Sequence, residues 1–189
     1  MRIIAGQYRS RALRSLRGME VRPTSDKLRE TLFNVISAAR GGDLSDTVWL
    51  DLFAGTGAVG IEALSRGARA VYFVELSARA AALMRENLSA LGITEGFEVH
   101  EREVSRALRL LDSAAIACDF CFLDPPYRMA SAYADTLGFL SQSQLLRPES
   151  VVIAEHSVKF DPGARFGALE RFRRLEQGDA ALSFYRLHA

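Results

Sequence analysis

The stretch VWLDLFAGTGAVG, residues 48–60, decides the fold because it joins an apolar strand to a helix through a glycine-rich turn. Gly55, Gly57 and Gly60 follow the strand in the pattern G-x-G-x-x-G. Glycines at such a turn tolerate positive φ and let the backbone approach a ligand that lies beside the helix N-terminus. The stretch therefore predicts a Rossmann-like α/β fold that binds a nucleotide.

Two carboxylates flank this turn. Asp51 lies near the end of the first strand, and Glu75 ends the next strand, eighteen residues past Gly57. A carboxylate at the second place can accept hydrogen bonds from both ribose hydroxyls, which indicates an adenosine-bearing cofactor. Asp51 favours S-adenosylmethionine over a dinucleotide, because its charge suits an ammonium and repels a pyrophosphate. Backbone amides that satisfy Asp51 are the alternative.

Short apolar strands and helical stretches alternate along the rest of the chain, which is typical of a mostly parallel sheet covered on both faces. The strands are expected at residues 47–53, 70–75, 97–100, 119–123 and 151–155. The helices are expected at residues 58–66, 77–91, 103–111 and 130–141. A last hairpin, residues 169–175 and 181–187, predicts an antiparallel C-terminal edge.

The N-terminal end is basic and has its own pattern. The first forty residues hold nine basic and three acidic side chains. Residues 2–16 alternate apolar with basic or polar residues, which predicts a two-stranded ribbon. An amphipathic helix is expected to follow, from an N-cap at Thr24 or Ser25 to a stop at Gly41 and Gly42. We therefore predict an extension over residues 1–43 and a main domain over residues 44–189.

A second motif follows the fourth strand of the main domain. Asp124-Pro125-Pro126-Tyr127 comes directly after an apolar run, at the edge of the sheet where ligands bind in open α/β folds. Two prolines stiffen the loop, so the Asp124 carboxylate and the Pro125 carbonyl can accept hydrogen bonds from one amine, while Tyr127 stacks on a base. The motif predicts methyl transfer to an exocyclic amine of a nucleobase. A plain turn is the alternative.

Taken together, these motifs resemble the RsmD family, bacterial methyltransferases that act on the N2 amine of a guanine in small-subunit ribosomal RNA. The resemblance covers essentially the whole chain. It rests on residues 51–57, Glu75, residues 124–127, Gly6-Gln7-Tyr8-Arg9, Arg22-Pro23-Thr24 and residues 29–34.

The resemblance implies a role for each matching residue. Asp124, Pro125 and Tyr127 would hold the guanine and its amine. The cofactor, S-adenosylmethionine, would contact Asp51, Phe53, Gly55, Gly57, Glu75, Leu76, Glu103 and Val104. The family usually has Asp or Asn followed by Ala where this chain has Glu103 and Val104. Phosphates of small-subunit ribosomal RNA, in an assembled or partly assembled subunit, would contact Arg2, Arg9, Arg11, Arg14, Arg22 and Thr24.

Other functions remain open at this point. The same Asp-Pro-Pro-Tyr motif serves methylation of adenine N6 or cytosine N4 in DNA or RNA. A non-catalytic RNA-binding assembly protein can share the fold. The arginines of the extension can form a solvated surface without any partner, and a nicotinamide oxidoreductase would show the same glycines.

The remaining reactive side chains predict neither a metal site nor a redox site. Cys118 and Cys121 form a lone C-x-x-C within an apolar strand, which favours core packing. His100, His156 and His188 lack metal-ligand spacing, although His156 stands at a strand end where it can line the pocket. No apolar run approaches the ~18 residues of a membrane span, so we expect a cytoplasmic protein.

Overall fold

A computed structural model describes residues 1–15, 25–126 and 129–188 of the chain. Within these ranges the strands are β1 (Val48–Leu52), β2 (Ala70–Val74), β3 (Phe97–His100), β4 (Cys118–Leu123), β5 (Leu146–Ser157), β6 (Arg165–Phe166), β7 (Leu169–Gln177) and β8 (Ala180–Leu187). The helices are α1 (Asp26–Ala39), α2 (Ala58–Ser65), α3 (Ala78–Leu91), α4 (Val104–Ser113) and α5 (Ser131–Leu140).

The described strands form one sheet in the order β3-β2-β1-β4-β5-β8-β7-β6. β1 to β5 run parallel, while β8 pairs antiparallel with β5 and β7 pairs antiparallel with β8. The prediction of a mostly parallel sheet with an antiparallel C-terminal edge is confirmed. The order in which the strands follow one another along the chain reverses at β1, because β2 and β3 lie on one side of it and β4 and β5 on the other. The loops after β1 and β4 therefore open at one crevice.

Two apolar cores cover the faces of the sheet. One face packs against α1, α2 and α3, and the other packs against α4 and α5. The alternation along the strands divides their side chains: Phe120 and Phe122 of β4 enter the first core, and Cys121 and Leu123 enter the second. Burial raises the pKa of the Cys118 thiol to about 12, so packing rather than redox chemistry accounts for the cysteine pair.

The N-terminal segment, residues 1–15, packs on the first core and is called the arm here. Ile3 and Leu13 are buried in the same cluster as the apolar side of α1. The predicted two-stranded ribbon is shorter than expected: the arm has one antiparallel bridge between Arg2 and Ala12, with backbone hydrogen bonds from Ile3 to Arg11 at 2.9 Å and from Leu13 to Met1 at 3.1 Å. On the outer edge of this pair, the amide of Ile4 donates to the Glu62 carboxylate on α2 at 2.8 Å.

The helix after the arm begins and ends where the sequence predicts. Ser25 is the N-cap of α1, and its hydroxyl accepts a hydrogen bond from the Leu28 amide at 3.1 Å. Gly41 and Gly42, at φ 67° and 94°, take left-handed conformations just beyond the helix end. Thr24, the other expected N-cap, lies outside the described residues. The division at residue 43 stays a prediction, since α1 and the arm share the core of the main domain.

Two details differ from the sequence prediction. β5 begins at Leu146 rather than at residue 151, because the Ser150 hydroxyl binds the Cys118 carbonyl at 2.6 Å and brings a polar stretch into the sheet. The short edge strand β6 was not predicted, since two residues give no alternating pattern. No helix in the described ranges is long and apolar enough to cross a membrane.

Candidate functional site

A cavity of about 700 Å³ opens at the carboxyl ends of the parallel strands. The loops after β1, β2, β3 and β4 enclose it, α5 forms one wall, and Ser15 of the arm reaches its rim. The predicted site residues that line it are Asp51, Phe53, Gly55, Glu75, Leu76, Glu103, Val104 and Asp124. Residues from two distant motifs, around positions 51–57 and 124–127, therefore meet at one crevice.

Two of the predicted residues, Gly57 and Pro125, do not line the cavity. Gly57 is the N-cap of α2 at φ 81°, and a Cβ there would lie 2.7 Å from the Met84 side chain. Its absence of a side chain serves the turn and the packing of α3, and contact with the cofactor stays a prediction. Pro126 rather than Pro125 is among the lining residues, and Pro125 is buried. Tyr127 lies outside the described residues.

The glycine-rich turn is tied to the end of β2. The Gly55 amide donates to the Glu75 carboxylate at 2.8 Å, and the Ser77 amide donates to the other oxygen of that carboxylate at 2.7 Å. Phe53 and Gly55 both have positive φ, at 60° and 57°. A non-glycine residue in this region is strained by about 1 kcal/mol, which indicates that the turn is held in shape by its surroundings. The two amides leave lone pairs of Glu75 for further donors.

Asp51 is a buried carboxyl group at the floor of the cavity. Only 1% of its surface is exposed, and one carboxylate oxygen accepts a hydrogen bond from the Gly60 amide at 2.8 Å. Burial raises its pKa to about 8, and the charge of Glu75 adds to that rise. One backbone amide therefore satisfies part of Asp51, as the alternative in the sequence analysis had it. A cationic group in the cavity would stabilise the ionised form as well.

Asp124 stands where β4 ends, on the same face of the sheet as Asp51. Its pKa lies well above the usual range of a carboxyl group, first through burial and then through the charge of Glu155. Since Leu123 pairs with Ala154 in the sheet, Asp124 is level with Glu155 on the neighbouring strand. Asp51, Glu75 and Asp124 thus line one cavity at the end of the central sheet, and Glu155 lies on the strand beside Asp124.

Glu155 is a residue that the sequence analysis did not single out. Its only signal in the sequence is its place as an acidic residue at the end of an apolar strand, where the sequence offers His156 as the candidate for lining the pocket. His156 is buried, and its ring nitrogens lie 2.9 Å from the Ser183 hydroxyl and 2.9 Å from the Ser157 carbonyl. His156 therefore belongs to the packing of β5 on β8 and does not line the cavity.

The residues expected from the sequence to lie near adenine, Leu76, Glu103 and Val104, stand at the open rim of the cavity. Leu76 is 67% exposed there, and Val104 is buried at the start of α4. The Glu103 carboxylate lies 3.4 Å from the Arg106 guanidinium, on an exposed turn of the same helix. Glu103 thus has a local partner, while Leu76 offers apolar surface to a flat ring. In the described ranges, no group of three or more acidic, histidine or cysteine side chains is arranged to hold a metal.

The arginines of the arm differ from one another in their partners. Arg11 donates to the Ala90 carbonyl at 2.9 Å, and Arg14 forms an ion pair with Glu86 at 3.1 Å. Arg2 lies 3.9 Å from the Asp26 carboxylate, with 72% of its side chain exposed. Arg9 is exposed and has no ion pair with any described residue. Arg22 and Thr24, also expected to bind RNA, lie outside the described residues.

Comparison with known proteins shows the family of the chain. The family model described as "Conserved hypothetical protein 95" matches residues 1–186. "Ribosomal RNA small subunit methyltransferase D" of Escherichia coli K12 is 33% identical over 84% of this chain and 76% of its own length. The chain belongs to the RsmD family. The resemblance inferred from the motifs is thereby confirmed.

Other relatives extend the RsmD likeness to the full length. A Bacillus subtilis protein, "Putative rRNA methyltransferase YlbH", is 33% identical over 98% of both chains. The solved structure of "Putative methyltransferase yhhF from Escherichia coli" superposes with a TM-score of 0.82 at 28% identity, covering 100% of this chain and 98% of that one. The likeness includes the arm and α1, which lie outside the glycine-rich core common to α/β nucleotide-binding proteins.

Proposed function

We propose that this protein transfers a methyl group from S-adenosylmethionine to the exocyclic N2 amine of a guanine in small-subunit ribosomal RNA. The observation that carries the proposal is the meeting of Asp124 with Asp51 and the glycine-rich turn in one cavity. Family membership supports the class of reaction, since the relatives are named ribosomal RNA methyltransferases. Ribosomal RNA as the substrate places the reaction in the cytoplasm.

The residues present fit S-adenosylmethionine as the cofactor. Asp51 is a buried carboxyl group with one amide partner, and an ammonium would supply the charge that its ionised form needs. Glu75 is oriented by two backbone amides and keeps acceptor capacity for ribose hydroxyls. Leu76 and Val104 offer apolar surface for adenine. When bound, the cofactor supplies an electrophilic methyl group beside the strand ends.

Asp124 is the group best placed to hold the amine. It lines the cavity directly after β4, the strand next to β1, so an amine bound there shares the cavity with the glycine-rich turn. Its carboxyl group accepts hydrogen bonds from the amine hydrogens and so orients the nitrogen lone pair toward the methyl group. In its ionised form, the Asp124 carboxylate also accepts the proton that the methylated nitrogen loses.

The arm and the residues around Arg22 are proposed to hold RNA phosphates, with the guanine turned out of its stack into the cavity. Of the described arm arginines, Arg9 has no ion pair with any described residue and Arg2 has only a long one of 3.9 Å, so these two are the best candidates for this contact. Phosphate binding by arginine is salt-sensitive, since each neutralised phosphate releases counterions. An assembled or partly assembled subunit is the proposed form of the substrate, because the family resemblance implies it.

The test is methyl transfer with isotopically labelled S-adenosylmethionine, followed by nucleoside analysis of the product. Small ribosomal subunits from a strain without the gene, the ribosomal RNA stripped of protein, and genomic DNA are the three substrates. We expect N2-methylguanosine from the subunits at a single nucleotide, which is unmethylated in the deletion strain. If the product is N6-methyladenosine or N4-methylcytidine instead, the target is adenine or cytosine and not guanine. Cofactor binding without transfer to any substrate would indicate a non-catalytic assembly protein.

A further inference from the structure

One buried amide joins the arm to the glycine-rich turn. Asn87 lies on α3, and 2% of its surface is exposed. Its Oδ1 accepts a hydrogen bond from the Arg14 amide at 2.9 Å, and its Nδ2 donates to the Arg14 carbonyl at 3.1 Å. The same nitrogen donates to the Thr56 carbonyl at 3.2 Å. Asn87 therefore holds two segments that are distant in sequence.

The three bonds fix the orientation of the side-chain amide. The reversed orientation would set its N–H groups against the Arg14 amide and its oxygen against two carbonyls. Both amide hydrogens and the oxygen are used in the observed orientation. Because the site is buried, a displaced Thr56 carbonyl either loses its donor or takes Asn87 with it. Movement of the turn is thus passed to the backbone of Arg14.

Both ends of this connection reach the cavity. Thr56 belongs to the turn that lines it, and Ser15, the residue after Arg14, lines its rim. The neighbouring side chains of the arm also contact α3, through the Arg11 bond to the Ala90 carbonyl and the Arg14 pair with Glu86. Asn87 stands between these contacts and the cavity. It is the point at which the arm meets the proposed cofactor site.

We propose that Asn87 is a positioning residue that couples cofactor binding to RNA binding. When the cofactor holds the turn, Asn87 holds the backbone of Arg14 and Ser15 in the conformation that receives RNA. The coupling is reciprocal, because a ligand that strengthens a second ligand's binding is itself strengthened equally. This inference rests on the proposed function, since it takes the arm as an RNA-binding surface.

The experiment measures the affinity for small ribosomal subunits from the deletion strain, with and without saturating S-adenosylhomocysteine. In the wild-type protein we expect the cofactor product to tighten binding by about fivefold or more. In Asn87→Ala we expect that ratio to fall to about one. Equal affinity in both conditions for the wild type, or an unchanged ratio in Asn87→Ala, would overturn the inference.

Ser65→Ala is the matched control. Ser65 is buried at the end of α2 and also holds the arm by two side-chain bonds, from the Tyr8 amide at 3.0 Å and to the Ala5 carbonyl at 2.6 Å. It has no bond to the turn among the described residues. We expect Ser65→Ala to keep the wild-type ratio. If the affinity ratio falls to about one in both Asn87→Ala and Ser65→Ala, the cause is a general loosening of the arm, which contradicts the role of Asn87.

Two further measurements keep the outcomes distinct. Asn87→Asp keeps an acceptor for the Arg14 amide but sets an oxygen against the carbonyls of Arg14 and Thr56, so we expect it to lose the coupling. This variant takes the place of Asn87→Ala if the alanine variant does not fold. Hydrogen exchange at the Arg14 amide, measured without RNA, is expected to slow on addition of S-adenosylhomocysteine in the wild type and not in Asn87→Asp. If the subunits do not bind at all, the proposed function fails, while this exchange measurement still decides the role of Asn87.

Discussion

The cavity and the arm carry charge in opposite ways. In the cavity, the carboxyl groups of Asp51 and Asp124 are enclosed, and burial raises the pKa of both. In the arm, Arg2 and Arg9 are basic and exposed, and Arg14 is neutralised by Glu86 on the surface. Two unit charges 4 Å apart interact by about 1 kcal/mol in water and by about 4 kcal/mol at an effective dielectric constant of ~20. Substitutions in the cavity should therefore have large effects, and those in the arm should have small effects that depend on salt.

The largest effect is expected at Asp124. Asp124→Ala removes the acceptor that holds the amine, so kcat should fall by about 10²- to 10³-fold, the usual loss for one preorganised polar group. Affinity for S-adenosylhomocysteine, measured by calorimetry, should stay within a few-fold of the wild type because Asp51 and Glu75 are intact. Undiminished methyl transfer by a variant that still binds cofactor and RNA would remove Asp124 from the mechanism.

Asp51 should decide cofactor affinity. Asp51→Asn keeps an acceptor for the Gly60 amide but removes the charge that faces an ammonium, so the Kd for S-adenosylhomocysteine should rise by about 10- to 100-fold. Calorimetry checks the value. Unchanged affinity would favour the view that Asp51 serves only the Gly60 amide and the turn.

The same variant should show the opposite effect on stability. The pKa of Asp51 is raised from 3.8 to about 8 in the folded protein, so the folded state holds a proton that the unfolded chain has lost between these values. This contribution makes the ligand-free protein less stable as the pH rises from about 4 to 8, and it levels off above 8. At pH 8 the Asp51→Asn variant should therefore melt a few degrees above the wild type. A lower melting temperature would contradict the burial argument.

Glu75 should have an intermediate effect because it is partly exposed at the rim. Glu75→Gln keeps one oxygen for a backbone amide but loses the second acceptor, and the Kd for S-adenosylhomocysteine should rise by about 10-fold. Adenosine lacks the amino-acid part of the cofactor and serves as a control ligand. Its binding should weaken in Glu75→Gln and stay the same in Asp51→Asn. Equal losses for both ligands in both variants would indicate a collapsed turn.

The smallest effects are expected in the arm. Arg9→Ala should weaken RNA binding only a few-fold and lower the slope of log affinity against log salt by about 0.7 to 0.9. Arg14→Ala should change the slope less, since Glu86 already neutralises that guanidinium. Glu86→Gln is the matched control, and it should strengthen RNA binding by freeing Arg14. Unchanged affinity and slope in both arginine variants would make the arm a solvated surface.

The difference between the two regions also explains how far sequence reasoning reached. The turn around Gly55 and the carboxylates Asp51 and Glu75 were found because their spacing follows from the βα unit itself. Gly57 was expected to touch the cofactor, but whether a glycine faces a ligand or a packed helix depends on α3, which the local pattern does not place. The ribbon predicted for the arm was too long for a similar reason. Its alternation is real, but backbone pairing across it is limited to a short stretch, and Glu62 and Ser65 bind the amides of Ile4 and Tyr8.

Sequence patterns alone predict the strands and helices other than β6, the glycine-rich turn and the Asp124 corner, because each depends on residues close together in the chain. The folded chain was needed to show that Glu155 stands level with Asp124, that Asn87 joins Arg14 to Thr56, and which arginines of the arm are paired. Contacts of this kind join residues thirty or more positions apart. Single polar side chains give no periodic signal of their partner, so burial and strand register had to supply it.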